Sequence, residues 1–180
     1  MLNRILIYIL VAFALLGLSL GVYNFFNTPE IVYIRSYDLV DKYEGTKEAR
    51  QKFDAKKNTW QSNIDTLSYN LKNAIEKYNM ERVRMSVAQR VDMEKYLDNK
   101  DKELASYTQS VEAKAREEEE QMMQAILNQV NSYVEKYGQD NGYDVILGTS
   151  TSGNVMFGNK ELDVTEDVLA GLNKSYQGKE

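Results

Sequence analysis

The most constraining feature of the chain is a run of 92 residues, between Gly45 and Gly138, that contains neither glycine nor proline. All ten glycines and the single proline of the chain lie outside this run. Because glycine and proline are the residues that most strongly interrupt regular backbone, the run predicts long, uninterrupted helix. The flanking glycines predict a smaller body built from turns and short elements. We therefore expect an α+β fold that is mainly helical.

Apolar residues inside the run repeat at helical spacing. A heptad seam is formed by Trp60, Ile64, Leu67, Leu71, Ala74 and Tyr78. Two later stripes are formed by Leu104, Tyr107, Val111 and Ala115, and by Met122, Ile126, Val130, Tyr133 and Tyr137. Each stripe needs another helix to cover it. The first and last stripes can cover each other if the chain turns back between them.

The sequence predicts that turn at Ser86. The helical region, from about residue 36 to 138, has its midpoint near residue 87, and Ser86 with Gln89 forms an S-x-x-Q capping box that starts a new helix. We therefore predict an antiparallel helical hairpin over residues 46–137 with its tip near 85–89. Folded there, each arm of about 43 residues reaches roughly 65 Å, whereas one continuous helix would run about 140 Å.

A short strand and a helix are predicted before the run. Residues 27–30 form a linker that contains the proline, and residues 31–34 are β-branched and aromatic, as in a strand. Ser36 or Asp38 can cap a helix that leads toward Gly45, where the helix either kinks or continues.

Two strands and a helix are predicted after the run. Residues 143–147 and 155–157 have strand composition, with glycine-containing turns on both sides. Asp163 with Glu166 makes a second capping box, for a short helix that ends near Asn173, and residues 174–180 are expected to form a loose tail.

The predicted body, residues 31–45 and 138–173, is too small to bury much apolar surface. Association with further copies of the chain would complete its core, so we expect an oligomer. The residues predicted to lie in the oligomer body are Ile31, Tyr33, Val145, Leu147, Val155 and Phe157.

The first segment predicts export. Residues 5–26 are apolar and uncharged, follow Arg4, and at about 1.5 Å per residue are long enough to cross a bilayer. As an uncleaved transmembrane anchor, residues 1–26 would hold the protein at the inner membrane through Ile5, Leu10, Leu15, Leu20 and Phe26. As a signal peptide, the segment would be cleaved and leave a soluble periplasmic protein.

The composition argues against several classes of function. The chain has no cysteine and no histidine, which removes thiol chemistry and the commonest general base and metal ligand. The formal net charge of −5 does not suggest a nucleic-acid partner. We find no catalytic constellation and no calcium-loop motif, and so expect no enzyme, no cofactor and no metal site.

The predicted tip is locally basic in an otherwise balanced run. The run has sixteen basic and sixteen acidic residues, yet residues 82–90 contain arginines and no acidic residue. Methionine adapts to irregular apolar partners, and exposed arginine attracts phosphate. The candidate contacts for a flexible client protein or a lipid headgroup are Met80, Arg82, Arg84, Met85, Arg90 and Met93.

Residues at both ends of the long run resemble the Skp/OmpH-like periplasmic chaperones. Residues 31–36 and 39–45 are similar to that family's opening strand and helix, and residues 142–147 to its closing strand. Asp163-Val164-Thr165 is similar to the D-[IV]-T start of its terminal helix. The resemblance spans about residues 31–173 and is strongest at its ends.

The resemblance implies a trimer in which a small β-body joins three helical hairpins around a cavity. It further implies an ATP-independent holdase that carries unfolded outer-membrane or envelope proteins through the periplasm. Two features depart from the family, namely the acidic charge and the apolar first segment, and Arg35 stands where the resemblance implies an acidic residue. The structural alternative is a membrane-anchored coiled-coil stalk or scaffold of the cell envelope, which does not need strands on both sides of its helix.

Overall fold

The computed structural model describes residues 28–150 and 153–178, together with residues 10, 13–14 and 16–19 of the first segment. In these residues the helices are α1 (Ser36–Lys42), α2 (Glu44–Glu81), α3 (Val87–Asn141) and α4 (Thr165–Tyr176). The strands are β1 (Ile31–Arg35) and β2 (Val145–Thr149), and a 3-10 turn covers Lys160–Leu162. Long helices with a small sheet confirm the predicted fold class, which is α+β and mainly helical.

The chain divides into two units. The first comprises Met1–Leu39 and Tyr133–Val168, and the second comprises Val40–Ser132 and Leu169–Glu180. Helices α1, α3 and α4 each contribute residues to both units. The end of α4 therefore belongs with the long helices, whereas the sequence predicted it as part of the β-body.

In the first unit, β1 and β2 pair in parallel, with Ile31 opposite Val145 and Tyr33 opposite Leu147. Parallel strands need a long connection, and here the connection carries both long helices. The buried face of β1 carries Val32 and Ile34, and Leu39, Val164 and Val168 complete the buried apolar residues of the described part of this unit.

In the second unit, α2 and α3 form an antiparallel hairpin. Four side-chain hydrogen bonds join residues separated in sequence by 86, 62, 44 and 16 positions. The sequence separation of the bonded residues thus falls steadily toward the turn, as it must in an antiparallel pair of helices. In α2, from Phe53 to Tyr78, the buried and half-buried residues are Phe53 and the six members of the predicted seam. With a rise of about 1.5 Å per residue, α2 alone is roughly 57 Å long.

The predicted turn lies at residues 82–86, and its capping box is present. The Ser86 amide donates to Gln89 Oε1 over 2.9 Å, and the Gln89 amide donates to Ser86 Oγ over 3.3 Å. This reciprocal pair satisfies two amide groups that the helix start would otherwise leave without a partner.

The helix that begins at Ser36 breaks at Tyr43, two residues before Gly45, the position where we expected the helix to kink or continue. Tyr43 is extended, with φ −61° and ψ 129°, and its carbonyl accepts the first hydrogen bonds of α2. Gly45 lies inside α2, where a Cβ would come within 2.5 Å of the Tyr43 ring. The glycine therefore makes room for an aromatic ring and does not interrupt the helix.

The prediction of a strand at Val155–Phe157 is wrong for the single chain. These residues have no regular structure, and Met156 and Phe157 are exposed. The preceding turn is held by Asn154, which accepts from the Ser150 amide and donates to the Gly148 carbonyl. The position beside β1 is instead taken by Asp163, which forms an isolated parallel bridge with Tyr33.

Three boundaries near the C-terminus also differ from the prediction. Helix α3 continues through Gly138 to Asn141, and Gly142 follows it with a positive φ of 77°. Asp163 does not form a capping box with Glu166, because its carboxylate accepts hydrogen bonds from Thr165. Residues 174–178 are not a loose tail, since α4 runs through Tyr176, and Tyr176 and Gln177 both donate to side chains of α2.

The predicted anchor lies largely outside the described residues. Of its five named positions, only Leu10 is described; it is helical and exposed, while Ile5, Leu15, Leu20 and Phe26 lie outside. Within the part of the chain that the structure describes, no helix has the length and apolar character to cross a membrane.

Candidate functional site

One face of the small sheet is apolar and open. Side chains alternate along each strand, so Val32 and Ile34 are buried while Ile31, Val145 and Leu147 keep 41–43 % of their surface exposed. Tyr33 stands on the same face as Leu147, its partner in register. The structure thus brings together four of the six predicted body residues, and we call this set (Ile31, Tyr33, Val145, Leu147) the sheet face.

The other two predicted body residues lie in the loop that follows β2. Val155 is half-buried and Phe157 is 83 % exposed. The end of this loop is held against β1, because the Tyr33 hydroxyl donates to the Gly158 carbonyl over 3.4 Å and Gly158 leaves space for the Tyr33 ring. Among the described residues, β2 pairs only with β1, so its outer edge is open as well.

Arg35 is the centre of an ionic cluster beside the sheet. Its guanidinium donates to Asp38, to Asp163 Oδ2 over 3.1 Å and to Glu166 Oε1 over 3.2 Å. Its backbone amide donates to Thr165 Oγ1 over 2.9 Å. The basic residue that stands at an unexpected place in the sequence therefore ties the end of β1 to the start of α4.

The cluster changes the acidity of its least exposed carboxylate. Burial by itself raises the pKa of Asp163, but hydrogen bonds from Thr165 and the charge of Arg35 outweigh it, so the pKa lies below its ordinary value. No group of three or more acidic, cysteine or histidine side chains in the described residues is arranged to hold a metal ion. The ionic cluster is therefore a structural contact, in which Arg35 holds the end of β1 against the start of α4.

The seam of the hairpin is apolar with polar contacts along its sides. Lys56 Nζ donates to Glu118 Oε2 over 2.6 Å, and Asn63 Nδ2 donates to the Tyr107 hydroxyl over 3.0 Å. Between these helices lies a cleft of about 440 Å³, lined among others by Phe53 and Met122. The Lys57 ammonium group lies 5.7 Å from the centre of the Phe53 ring, and the Lys114 ammonium group lies 5.8 Å from the centre of the Trp60 ring. Both aromatic residues of this part of the hairpin therefore have a cationic neighbour.

The tip presents basic and aliphatic side chains together. Arg82, Arg84 and Arg90 are exposed, as predicted, and Met80 is 74 % exposed, whereas Met85 and Met93 are half-buried. The most exposed aliphatic side chains of the tip are instead Val83 at 88 %, Val87 at 70 % and Val91 at 57 %. We refer to Met80, Val83, Val87 and Val91, with the three arginines, as the tip patch.

The three valines were missed in the sequence because they do not belong to any stripe. The seam of α2 ends at Tyr78, and the half-buried positions of α3 begin at Met93. An apolar residue that is out of register with the seam has no helix to cover it. That mismatch was present in the sequence and could have identified Val83, Val87 and Val91.

A further set of contacts lies where α2 begins, at the root of the arm. The Tyr43 and Tyr176 rings meet edge to face, with centroids 5.4 Å apart. The Tyr176 hydroxyl donates to Glu48 Oε2 over 2.6 Å, and this hydrogen bond raises the pKa of Tyr176 to about 12. The pKa of Glu48 is lowered mainly by its hydrogen bond from Lys52 and, to a smaller extent, by the hydrogen bond from Tyr176.

Comparison with known families decides the assignment. The family model described as outer membrane protein (OmpH-like) matches residues 30–172, which include both strands, both long helices and most of α4. The chain belongs to the OmpH-like family. This confirms the resemblance seen in the sequence and assigns the protein to a family of periplasmic chaperones for outer-membrane proteins.

A solved structure shows the same fold. The crystal structure of an OmpH-like outer membrane chaperone from Caulobacter crescentus superposes with a TM-score of 0.75 and 15 % sequence identity. The match covers 82 % of this chain and 86 % of that chain. No curated protein sequence matches this chain. At this identity the likeness concerns the fold, so the roles of individual residues rest on the geometry described above.

Proposed function

We propose that this OmpH-like protein is an exported, ATP-independent holdase that keeps unfolded outer-membrane or envelope proteins from aggregating in a cavity between helical arms. The observation that carries the proposal is the hairpin itself. Its seam is closed by the α2–α3 pairing, its sides are polar, and its tip exposes valines that have no partner within the described chain. Many weak apolar and ionic contacts of this kind suit a client that has no fixed shape.

We further propose that the sheet face and the outer edge of β2 join several copies of the chain, in a trimer. A two-stranded sheet with one apolar face exposed buries too little apolar surface to be stable alone, and such an exposed face marks an interaction site. Phe157 and the half-buried Val155 lie in the loop that follows β2, and an added chain would give this loop a strand to pair with. Light scattering on the purified protein tests the number of copies.

We propose that the apolar first segment keeps the protein at the inner membrane with its body in the periplasm. The support is the length and uncharged character of residues 5–26. Sequencing the N-terminus of the mature protein tests this directly. A start at Met1 supports the anchor, and a start near Val22 supports a cleaved signal peptide and a soluble periplasmic protein.

The stalk alternative predicts one continuous rod with its terminal strands far apart. The parallel pairing of β1 with β2 and the turn at residues 82–86 oppose it.

The central experiment measures aggregation of an unfolded outer-membrane β-barrel protein in the presence of residues 27–180. We expect suppression at near-stoichiometric amounts without nucleotide. A triple variant, Val83→Ser, Val87→Ser and Val91→Ser, should weaken suppression, because the apolar contacts of the tip patch are removed while the seam stays intact.

The matched control for the tip variant is Tyr69→Ser. Tyr69 is 65 % exposed on α2 but lies away from the tip patch, so its loss should leave suppression unchanged. Failure of the unmodified protein to suppress aggregation would contradict the holdase proposal. Equal suppression by the triple variant and the control would remove the tip patch from client binding. Binding of the unmodified protein to anionic vesicles, lost in the triple variant, would assign the patch to lipid.

A further inference from the structure

The root of the arm is joined to the end of the chain by three side-chain contacts. Besides the Tyr43–Tyr176 ring contact and the Tyr176–Glu48 hydrogen bond, Gln177 Nε2 donates to Glu44 Oε2 over 2.6 Å. The two hydrogen bonds among these contacts join residues that are 128 and 133 positions apart along the chain. All of the residues involved belong to the second unit.

The terminal helix also supplies the N-terminal cap of α2. The residue at the cap position is Tyr43, whose side chain makes no capping hydrogen bond. The Glu44 amide instead donates to Asn173 Oδ1 over 2.9 Å. Asparagine is among the best capping residues, but it normally caps its own helix from the adjoining position. Here the cap comes from a different helix, so the start of α2 depends on the presence of α4.

The ring at the centre of these contacts connects a third helix. Tyr43 is only 2 % exposed, and its hydroxyl donates to Gln129 Oε1 on α3 over 3.0 Å. The helix break at Tyr43, the first turn of α2 and the opposite helix α3 are therefore linked through one side chain. When the last turn of α4 is docked, this ring has Tyr176 as an edge-to-face partner, and when that turn leaves, one side of the ring faces water.

We propose that α4 is a clasp on the arm, in which Asn173 and Tyr176 position the start of α2. With the clasp closed, the first two turns of α2 are ordered and the arm holds one geometry at its root. With the clasp open, these turns fray while the rest of the hairpin stays paired through its seam. The polar contacts of the clasp lie at the surface, with Tyr176 41 % exposed, whereas Leu169 and Leu172 earlier in α4 are buried. The last turn of α4 therefore opens locally while the earlier turns stay docked.

The clasp has a consequence for the holdase, and this step rests on the proposed function. A frayed root lets the arm move relative to its own first turn, so the many weak contacts to a client are lost and remade more often. Clients should therefore leave sooner when the clasp is open. Asn173 and Tyr176 act through α2 and need not touch the client.

The test uses hydrogen exchange of the full chain, which needs no client. In an Asn173→Ala, Tyr176→Ala double variant we expect the amides of residues 46–50 to exchange at least tenfold faster, with no change around Leu71 in the same helix. Lys174→Ala is the matched control, since Lys174 is an exposed residue of the same helix. Asn173→Asp, which retains an acceptor oxygen, should restore slow exchange when Tyr176 is intact.

Two outcomes would overturn the clasp. One is exchange of residues 46–50 no faster than in Lys174→Ala, and the other is faster exchange along all of α2, which indicates general destabilisation. If the local effect is present, the release rate of a labelled unfolded β-barrel protein is measured next. A severalfold faster release supports the link to client holding, and an unchanged rate removes that link. If the unmodified protein binds no client, the holdase proposal fails while the exchange result for the clasp remains.

Discussion

The two ends of the helical arm are built in different ways. At the root, Tyr43 is buried, contacts Tyr176 and reaches α3, so the helix start is held by residues distant in sequence. At the tip, Ser86 and Gln89 cap α3 by themselves, and the neighbouring valines remain exposed. The root is therefore a tertiary structure, whereas the tip is a local one, which leaves its surface available for binding.

The largest expected difference between the two ends follows from truncation of one side chain at each. Tyr43→Ala should lower the free energy of unfolding by about 3 kcal/mol, because it removes a buried aromatic ring from a packed site. Val83→Ala at the tip should change it by less than about 0.5 kcal/mol. Urea unfolding followed by circular dichroism measures both. Similar losses in the two variants would mean that the root is not more tightly built than the tip.

A glycine at the root should respond in the opposite sense from an ordinary helical glycine. In an exposed helix interior, replacing glycine by alanine stabilises by up to about 1 kcal/mol. At Gly45 the added Cβ would clash with the Tyr43 ring, so Gly45→Ala should destabilise by about 1–3 kcal/mol. The double variant with Tyr43→Ala removes the clash and should show the usual stabilisation relative to Tyr43→Ala alone. Stabilisation by the single substitution would show that the ring is not held against Gly45.

The tip should lose only its local cap. Ser86→Ala removes the acceptor for the Gln89 amide, and we expect a loss of about 1 kcal/mol. The loss should be confined to the turn, so amide exchange should become faster at residues 86–90 and should not change at residues 46–50. Ser86→Asp keeps an acceptor at this position and serves as the control. If Ser86→Ala also loosened the root, the two ends would be coupled and the comparison would fail.

The smallest expected effect is a difference in acid sensitivity. The pKa of Glu48 is lowered in the folded protein by Lys52 and Tyr176, so its contribution is present above the ordinary carboxyl pKa and is lost as the pH falls below it. The turn at residues 82–90 contains no acidic residue. Between about pH 5 and pH 3, protection from exchange should fall at residues 46–50 but not at residues 86–90. Glu48→Gln should reduce the acid response at the root.

Local patterns in the sequence were sufficient for the arm. The spacing from Trp60 to Tyr78 identified the buried stripe of α2, and the pair Ser86 and Gln89 identified the turn. Both signals act between residues three or four positions apart, where backbone geometry relates sequence to space directly. The same approach misplaced the capping box at Asp163, because the Asp163 carboxylate accepts from the Thr165 amide and from Arg35, while Glu166 binds Arg35.

What the sequence by itself determined is the helical content, the stripe that pairs α2 with α3 and the position of the turn, since each depends on neighbours along the helix. Only the tertiary structure decided the parallel pairing of β1 with β2, the partners of Arg35 and the docking of Tyr176 at Tyr43. It also decided that Val155–Phe157 remains without a strand partner in the single chain. The strand pairing, the contact of Arg35 with Asp163 and the contact of Tyr43 with Tyr176 join residues more than 100 positions apart, and no local propensity selects one distant partner among several that are chemically equivalent.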